Sequence, residues 1–165
     1  MDRIPALLRL WQRCQALPGG RWLFGRLVCF KAPYFASISP RFVSLAPGRC
    51  ELALKKRRKV CNHLGSVHAI AMCNMAELAA GTMTDVSLPT THRWIPKGMS
   101  VVYLKKAATD LRAVAQISLP PHWGDAVTLP VAVEVLDRAG EVVMRASIEM
   151  WVTRRKGKAQ PGSDL

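Results

Sequence analysis

Half of the 165 residues are hydrophobic and 21% are charged, a balance that suits one folded domain and excludes a fibrous or disordered chain. The 24 Lys and Arg residues against 11 Asp and Glu leave a net charge of +13, which favours phosphate-bearing ligands, nucleic acid or an anionic surface. No uncharged run reaches the roughly 18 residues that a membrane span needs.

Residues 1–32 read as a basic helical extension. Ile4, Leu7, Leu8, Trp11 and Cys14 recur at spacings of three and four, with Arg3, Arg9 and Arg13 off that stripe. Those arginines are scattered among the apolar residues, unlike the separate charged and apolar regions of a secretory signal. Pro18-Gly19-Gly20 ends the pattern, and a second helix carrying Trp22, Leu23, Leu27, Val28 and Phe30 follows before Pro33. A basic amphipathic helix either packs as a lid over the domain or lies on a membrane surface, and the lid is the plainer expectation. Five cysteines (Cys14, Cys29, Cys50, Cys61 and Cys73), odd in number and without a Cys-x-x-Cys pair, support neither a disulfide scaffold nor a zinc ribbon. The expected compartment is a reducing cytoplasm.

From residue 33 to 153 the pattern is that of a second, larger unit. Phe42 to Leu45 and Arg49 to Val60 flank the turn Pro47-Gly48 and predict a hairpin. Ser66 to Met83 is apolar nearly all round and predicts a buried helix. After a polar loop, Ser100 to Lys106 and Leu111 to Leu119 flank a turn at Thr109-Asp110. Thr128 to Leu136 and Glu141 to Val152 flank another at Asp137 to Gly140. In the last segment Val142, Met144, Ala146, Ile148, Met150 and Val152 alternate with Arg145, Ser147, Glu149 and Thr153, as in an antiparallel sheet with one buried face. Residues 154–165 read as a disordered basic tail. Two strands, one apolar helix and about four strands predict an α+β fold in which a curved antiparallel sheet wraps the helix, the hot-dog arrangement.

The chemistry concentrates between Val60 and Glu77. Glu77 is the only acidic residue between Glu51 and Asp85, and it stands among Met75, Ala76, Leu78 and Ala79. A carboxylate in such a setting is paired, neutralised or used, and here it suits a general base. The plainer alternative bonds Glu77 to buried backbone or to His68.

Asn62, Gly65, His68 and Glu77 are spaced so that this stretch resembles the hot-dog acyl-CoA thioesterases. It is similar in particular to the phenylacetate-pathway type, with its Asn…Gly-x-x-His-Gly-Gly…Asp/Glu signature. The wider pattern, NHLGSVHA with RWIPKGM and YLKKA, looks like a branch of that superfamily labelled a domain of unknown function. The resemblance implies that Glu77 acts as base or nucleophile on an acyl-CoA and that Asn62 orients the thioester carbonyl or the water. It makes the backbone N–H of Ala69, beside His68, the oxyanion donor. Ala69 and Glu77 are eight residues, or about 12 Å, apart on one helix, so both act on one carbonyl only from two chains, and a homodimer or dimer of dimers is expected. Coenzyme A enters as part of the substrate with no resident cofactor, and the spacing of Cys61, His63 and His68 fits no zinc pattern. Ala69-Ile70 replaces the family's Gly-Gly, and Gly81 stands where a hydroxyl residue often follows the acid. Both departures favour a second expectation, a hot-dog domain that binds an acyl thioester or lipid without turning it over.

Two further readings stand beside these. His63 lies fourteen residues before Glu77, the separation of the His/acid pair in hot-dog dehydratases, although the prolines of that motif are absent. The run Lys55-Lys-Arg-Arg-Lys59 reads as a solvated strand end. Next comes a dock for coenzyme A phosphates through Lys56 and Arg58, and last a nucleic-acid patch, which no interleaved aromatic residue supports. In their plainer readings His68 serves as a helix cap, Asn62 simply ends the strand, and Cys61 and Cys73 are small apolar fillers.

Overall fold

The structure, a computed structural model, describes residues 4–155. Helix α1 (Ala6–Gln15) turns the expected stripe inward and buries Trp11 and Cys14. Helix α2 (Gly20–Lys31) also forms, and only part of its apolar set turns inward. Phe24 and Gly25 go inward, whereas Trp22, Leu23, Leu27 and Phe30 face outward. The reason is an aromatic cluster: the Phe24 ring lies 5.0 Å from Trp11 and 4.8 Å from Phe42, both edge-on. That cluster fixes the roll of α2 and packs both helices into the same core as the sheet.

Strands β1 (Arg41–Ala46) and β2 (Arg49–Leu54) make the first hairpin. β2 stops at Leu54, so Lys55 to Lys59 is not strand as expected, and Arg58–Val60 is a single 3-10 turn. The backbone N–H of Lys56 donates to Asp110 Oδ1 at 2.8 Å, which draws the chain out of the sheet. Helix α3 (Ala69–Ser87) follows, then β3 (His92–Tyr103), β4 (Leu111–Gln116), β5 (Ala126–Leu136) and β6 (Val142–Arg154). Arg154 therefore ends a strand and does not begin a tail; the expectation for 156–165 lies outside the described residues.

All strand pairs are antiparallel, in the order β1-β2-β4-β5-β6-β3. The expected hairpin of residues 100–106 with 111–119 does not form. β3 starts at His92 and crosses to the far edge, where it pairs with β6 from His92↔Arg154 to Tyr103↔Met144. The lengths explain this: β3 has 12 residues and β6 has 13, whereas the six of β4 are taken on both sides by β2 and β5. Pro96 is tolerated because an edge strand can spare an N–H, and a bulge between Pro96 and Gly98 absorbs Lys97.

The inner face of the sheet (Leu52, Ala113, Ala115, Val133, Met144, Ile148 and Met150) packs against Met75, Ala76, Ala79, Ala80 and Met83 of α3. Small residues let the helix sit close to the strands. Trp94 of β3 lies over Gly81, where an added Cβ would stand 2.7 Å from the indole Cη2. α3 is not buried on every side as expected: Ile70, Glu77 and Asp85 lie on an open face. Among the described residues no helix is long and apolar enough to cross a membrane.

Candidate active site

The approach to α3 is a tight loop held by one side chain. Asn62 Oδ1 accepts from the N–H groups of Leu64 (3.0 Å) and Ser66 (3.2 Å) and from the Ser66 hydroxyl (3.2 Å). Gly65 stands at φ +72°, in the left-handed region that glycine enters without strain, and its N–H closes the turn onto the Asn62 carbonyl at 3.1 Å. The Asn62 side-chain oxygen is thus committed to the loop. Only its Nδ2 group, unbonded among the described residues, is left to meet a ligand. Gly65 is placed by its backbone conformation, and both residues border an open concavity of about 710 Å³ with Lys56, Arg57, Arg58, Cys61 and His63.

His68 caps α3. Its Nδ1 accepts from the N–H of Ile70 at 3.0 Å, so the plainer of its two expected roles is the one built here. The N–H groups of Val67 and His68 go to the carbonyls of Ala107 and Val60. The N–H of Ala69 finds no partner among the described residues. It therefore stands free at the positive end of a 19-residue helix, where an anionic oxygen is stabilised.

Glu77 stands elsewhere. It lines a smaller groove of about 250 Å³ with Pro96, Lys97, Gly98, Met99 and Ile148, where the bulge of β3 opens the sheet edge beside α3. Its carboxylate is exposed and has neither hydrogen bond nor ion pair among the described residues. The expectation of a desolvated or structurally bonded Glu77 fails in the single chain, because one face of α3 is left open beside β3. One helical turn earlier, the Cys73 sulfur lies 3.2 Å from the Tyr103 hydroxyl. That bond, with burial, pushes the phenol up to about 12, so it stays protonated across the neutral range.

The expected site residues thus fall into separate groups. Asn62, Gly65, Lys56 and Arg58 share the basic concavity, and Ala69 and His68 open the helix. Glu77 lies eight residues, or about 12 Å, along α3 from Ala69. His63 borders the first concavity and Glu77 the second, so one chain does not bring the dehydratase pair together. Sequence reasoning missed Lys97 and Met99 beside Glu77; Pro-Lys-Gly within a strand was the available signal for a bulge. Trp94 also explains one departure from the thioesterase pattern, since its indole fills the space that a side chain at position 81 would need.

The family described as "Domain of unknown function (DUF4442)" matches residues 20–152. The chain belongs to that family. Its match begins at α2, so this helix is part of the family's pattern. No curated protein matches the chain. A crystal structure from a genomics effort, whose name states no activity, is 48% identical and covers 90% of this chain and 99% of its own, with a TM-score of 0.79. A Pseudomonas aeruginosa protein of unknown function, called a probable thioesterase, is 21% identical over 84% of this chain and 97% of its own, at a TM-score of 0.71. A Haemophilus influenzae thioesterase is 10% identical over 73% of this chain and 82% of its own, at 0.64. The DUF4442 chain has the α+β hot-dog fold of these proteins, a curved antiparallel sheet around one helix.

Proposed function

We propose that this DUF4442 protein hydrolyses an acyl-CoA or related acyl thioester at a site completed by two copies of the chain. The observation that carries the reading is Glu77, an exposed carboxylate without a partner among the described residues, set beside the bulge of the β3 sheet edge. No contact among the described residues requires a carboxylate there. A second chain pairing along β3 covers it, removes water and turns it into a stronger base.

In this reading the thioester carbonyl is held by the free N–H of Ala69 from one subunit and attacked from Glu77 of the other. The 12 Å or so between these groups along one helix prevents a single chain from doing both. Glu77 takes a proton from water as it attacks, or attacks the carbonyl itself; Ala69 stabilises the developing oxyanion. Asn62 Nδ2 orients the carbonyl or the water. The phosphates of coenzyme A meet Lys56 and Arg58 in the basic concavity, and Gly65 shapes its rim. A homodimer, alone or paired into a tetramer, follows from this arrangement. The five free thiols suit a reducing cytoplasm.

A panel of acyl-CoAs read by thiol release tests the reading. Glu77→Gln should leave the fold intact and lower turnover about 100-fold or more, the usual worth of a positioned base. Turnover at the wild-type rate sinks the assignment. Lys56→Ala with Arg58→Ala should raise KM several-fold and leave kcat nearly unchanged. A second reading, binding without turnover, is favoured by Ala69-Ile70 in place of Gly-Gly and by Trp94 over Gly81. Saturable acyl-CoA binding with no thiol release from either protein selects it.

A further inference from the structure

Among the described residues nothing covers the outer face of α2. Trp22, Arg26 and Phe30 stand in one column at four-residue spacing, with Leu23 and Leu27 beside them and Tyr34 in the 3-10 turn that follows. Trp22 is 66% exposed, Tyr34 71% and Phe30 89%. Such anchors are normally buried, and three together on one short segment form a patch with a use. Cations are interleaved with them. Arg21, Arg26 and Lys31 make no ion pair among the described residues, and the Arg26 guanidinium lies 5.8 Å from the Trp22 ring centroid. Between Asp2 and Glu51 the chain carries eight Lys and Arg and no acidic residue at all.

We propose that this face docks the protein on the surface of a bilayer containing anionic lipid. The rings of Trp22 and Phe30 enter the headgroup region, and Arg21, Arg26 and Lys31 meet lipid phosphates. Charge rejects the other obvious occupant. A second copy seated face to face would press cations against cations with no carboxylate between them. Nucleic acid would use the cations and leave the leucines in water. The face lies on the side of β1, the edge opposite β3, so pairing of two chains through β3 does not cover it. The inference stands whether or not Glu77 hydrolyses a thioester.

Co-sedimentation of the full chain with vesicles tests it, using phosphatidylcholine alone and phosphatidylcholine with phosphatidylglycerol at seven parts to three. Binding is expected on the anionic vesicles only. Trp22→Ala with Phe30→Ala leaves the charge unchanged and should weaken binding about tenfold or more. Arg21→Gln, Arg26→Gln and Lys31→Gln together should weaken it roughly a hundredfold, from about fivefold per cation. Arg93→Gln, Lys106→Gln and Arg112→Gln remove the same charge elsewhere and should cost about threefold or less, because distant charges are screened. All eight side chains are exposed, and circular dichroism checks that each variant is folded. Equal binding to neutral vesicles, equal losses from the two triple variants, or wild-type binding by the aromatic pair variant overturns the proposal. So does a Trp22/Phe30 variant that changes particle mass in light scattering without changing vesicle binding, because the face then joins copies of the chain.

Discussion

The two edges of the sheet are finished in opposite ways. Along β1 the chain supplies its own cover: α2 packs there, and Trp11, Phe24 and Phe42 interlock with almost no exposure. Along β3 no strand among the described residues pairs with the outer side, and Ile95 and Val102 are each 58% exposed, with Met99 39% exposed beside Glu77. Folded proteins blunt long edges with charges, prolines, bulges or a covering element. β3 has Pro96, Lys97 and the bulge at one end, but from Met99 to Tyr103 it is apolar enough to receive a strand. The comparison teaches where the chain is complete. One edge is closed by local packing, and the other fits the partner that the proposed function requires.

The sharpest way to break that comparison is to charge the open edge. Met99→Lys with Val102→Lys should give a folded monomer by light scattering and lose thiol release about as fully as Glu77→Gln, on the order of 100-fold. A monomer that turns over like the wild type would separate the open edge from catalysis.

Damage at the closed edge should have the opposite signature. Trp11 is fully buried against Phe24 and Phe42, so Trp11→Ala removes a large ring and leaves a cavity worth about 3–5 kcal/mol. The urea midpoint should fall accordingly, while particle mass and activity per folded molecule stay as they were. If the subunits come apart instead, the two edges are coupled and the comparison is too simple.

What was legible in the sequence follows the same division. The apolar run from Ser66 onward predicts α3, and the alternation after Glu141 predicts β6 with its buried side chains, because both patterns are set by packing within the chain. The His68 cap and the free N–H of Ala69 were also readable, since caps depend on neighbours in sequence, whereas the loop that Asn62 Oδ1 holds was not read. The position of β3 was not, because strand partners are chosen by length and by vacancy in the sheet. The exposure of Glu77 was hidden for a related reason. An apolar helix face reads the same whether its own sheet or another chain covers it. Trp94 over Gly81 was equally unreadable, as a contact across two elements leaves no periodic trace.

The smallest expected effect concerns the basic segment between the two edges. Asp110 accepts from the Lys56 N–H at 2.8 Å and from Arg138 at 3.3 Å, and these bonds hold its carboxyl below the ordinary value of 3.8. A carboxyl lowered on folding stabilises the fold above its unfolded value and loses that contribution as pH falls through the folded one. Asp110→Ala should therefore lower Tm at pH 7 by about 2 °C or less, because the carboxylate is partly exposed and water screens both bonds. The difference from wild type should stay constant down to about pH 5 and shrink below about pH 4. Because the same bond tethers Lys56 to the turn before β4, KM for an acyl-CoA should rise modestly in this variant with kcat unchanged. An unchanged KM with the Tm loss intact would show that Asp110 supports the fold alone, and that Lys56 does not depend on it to reach the phosphates.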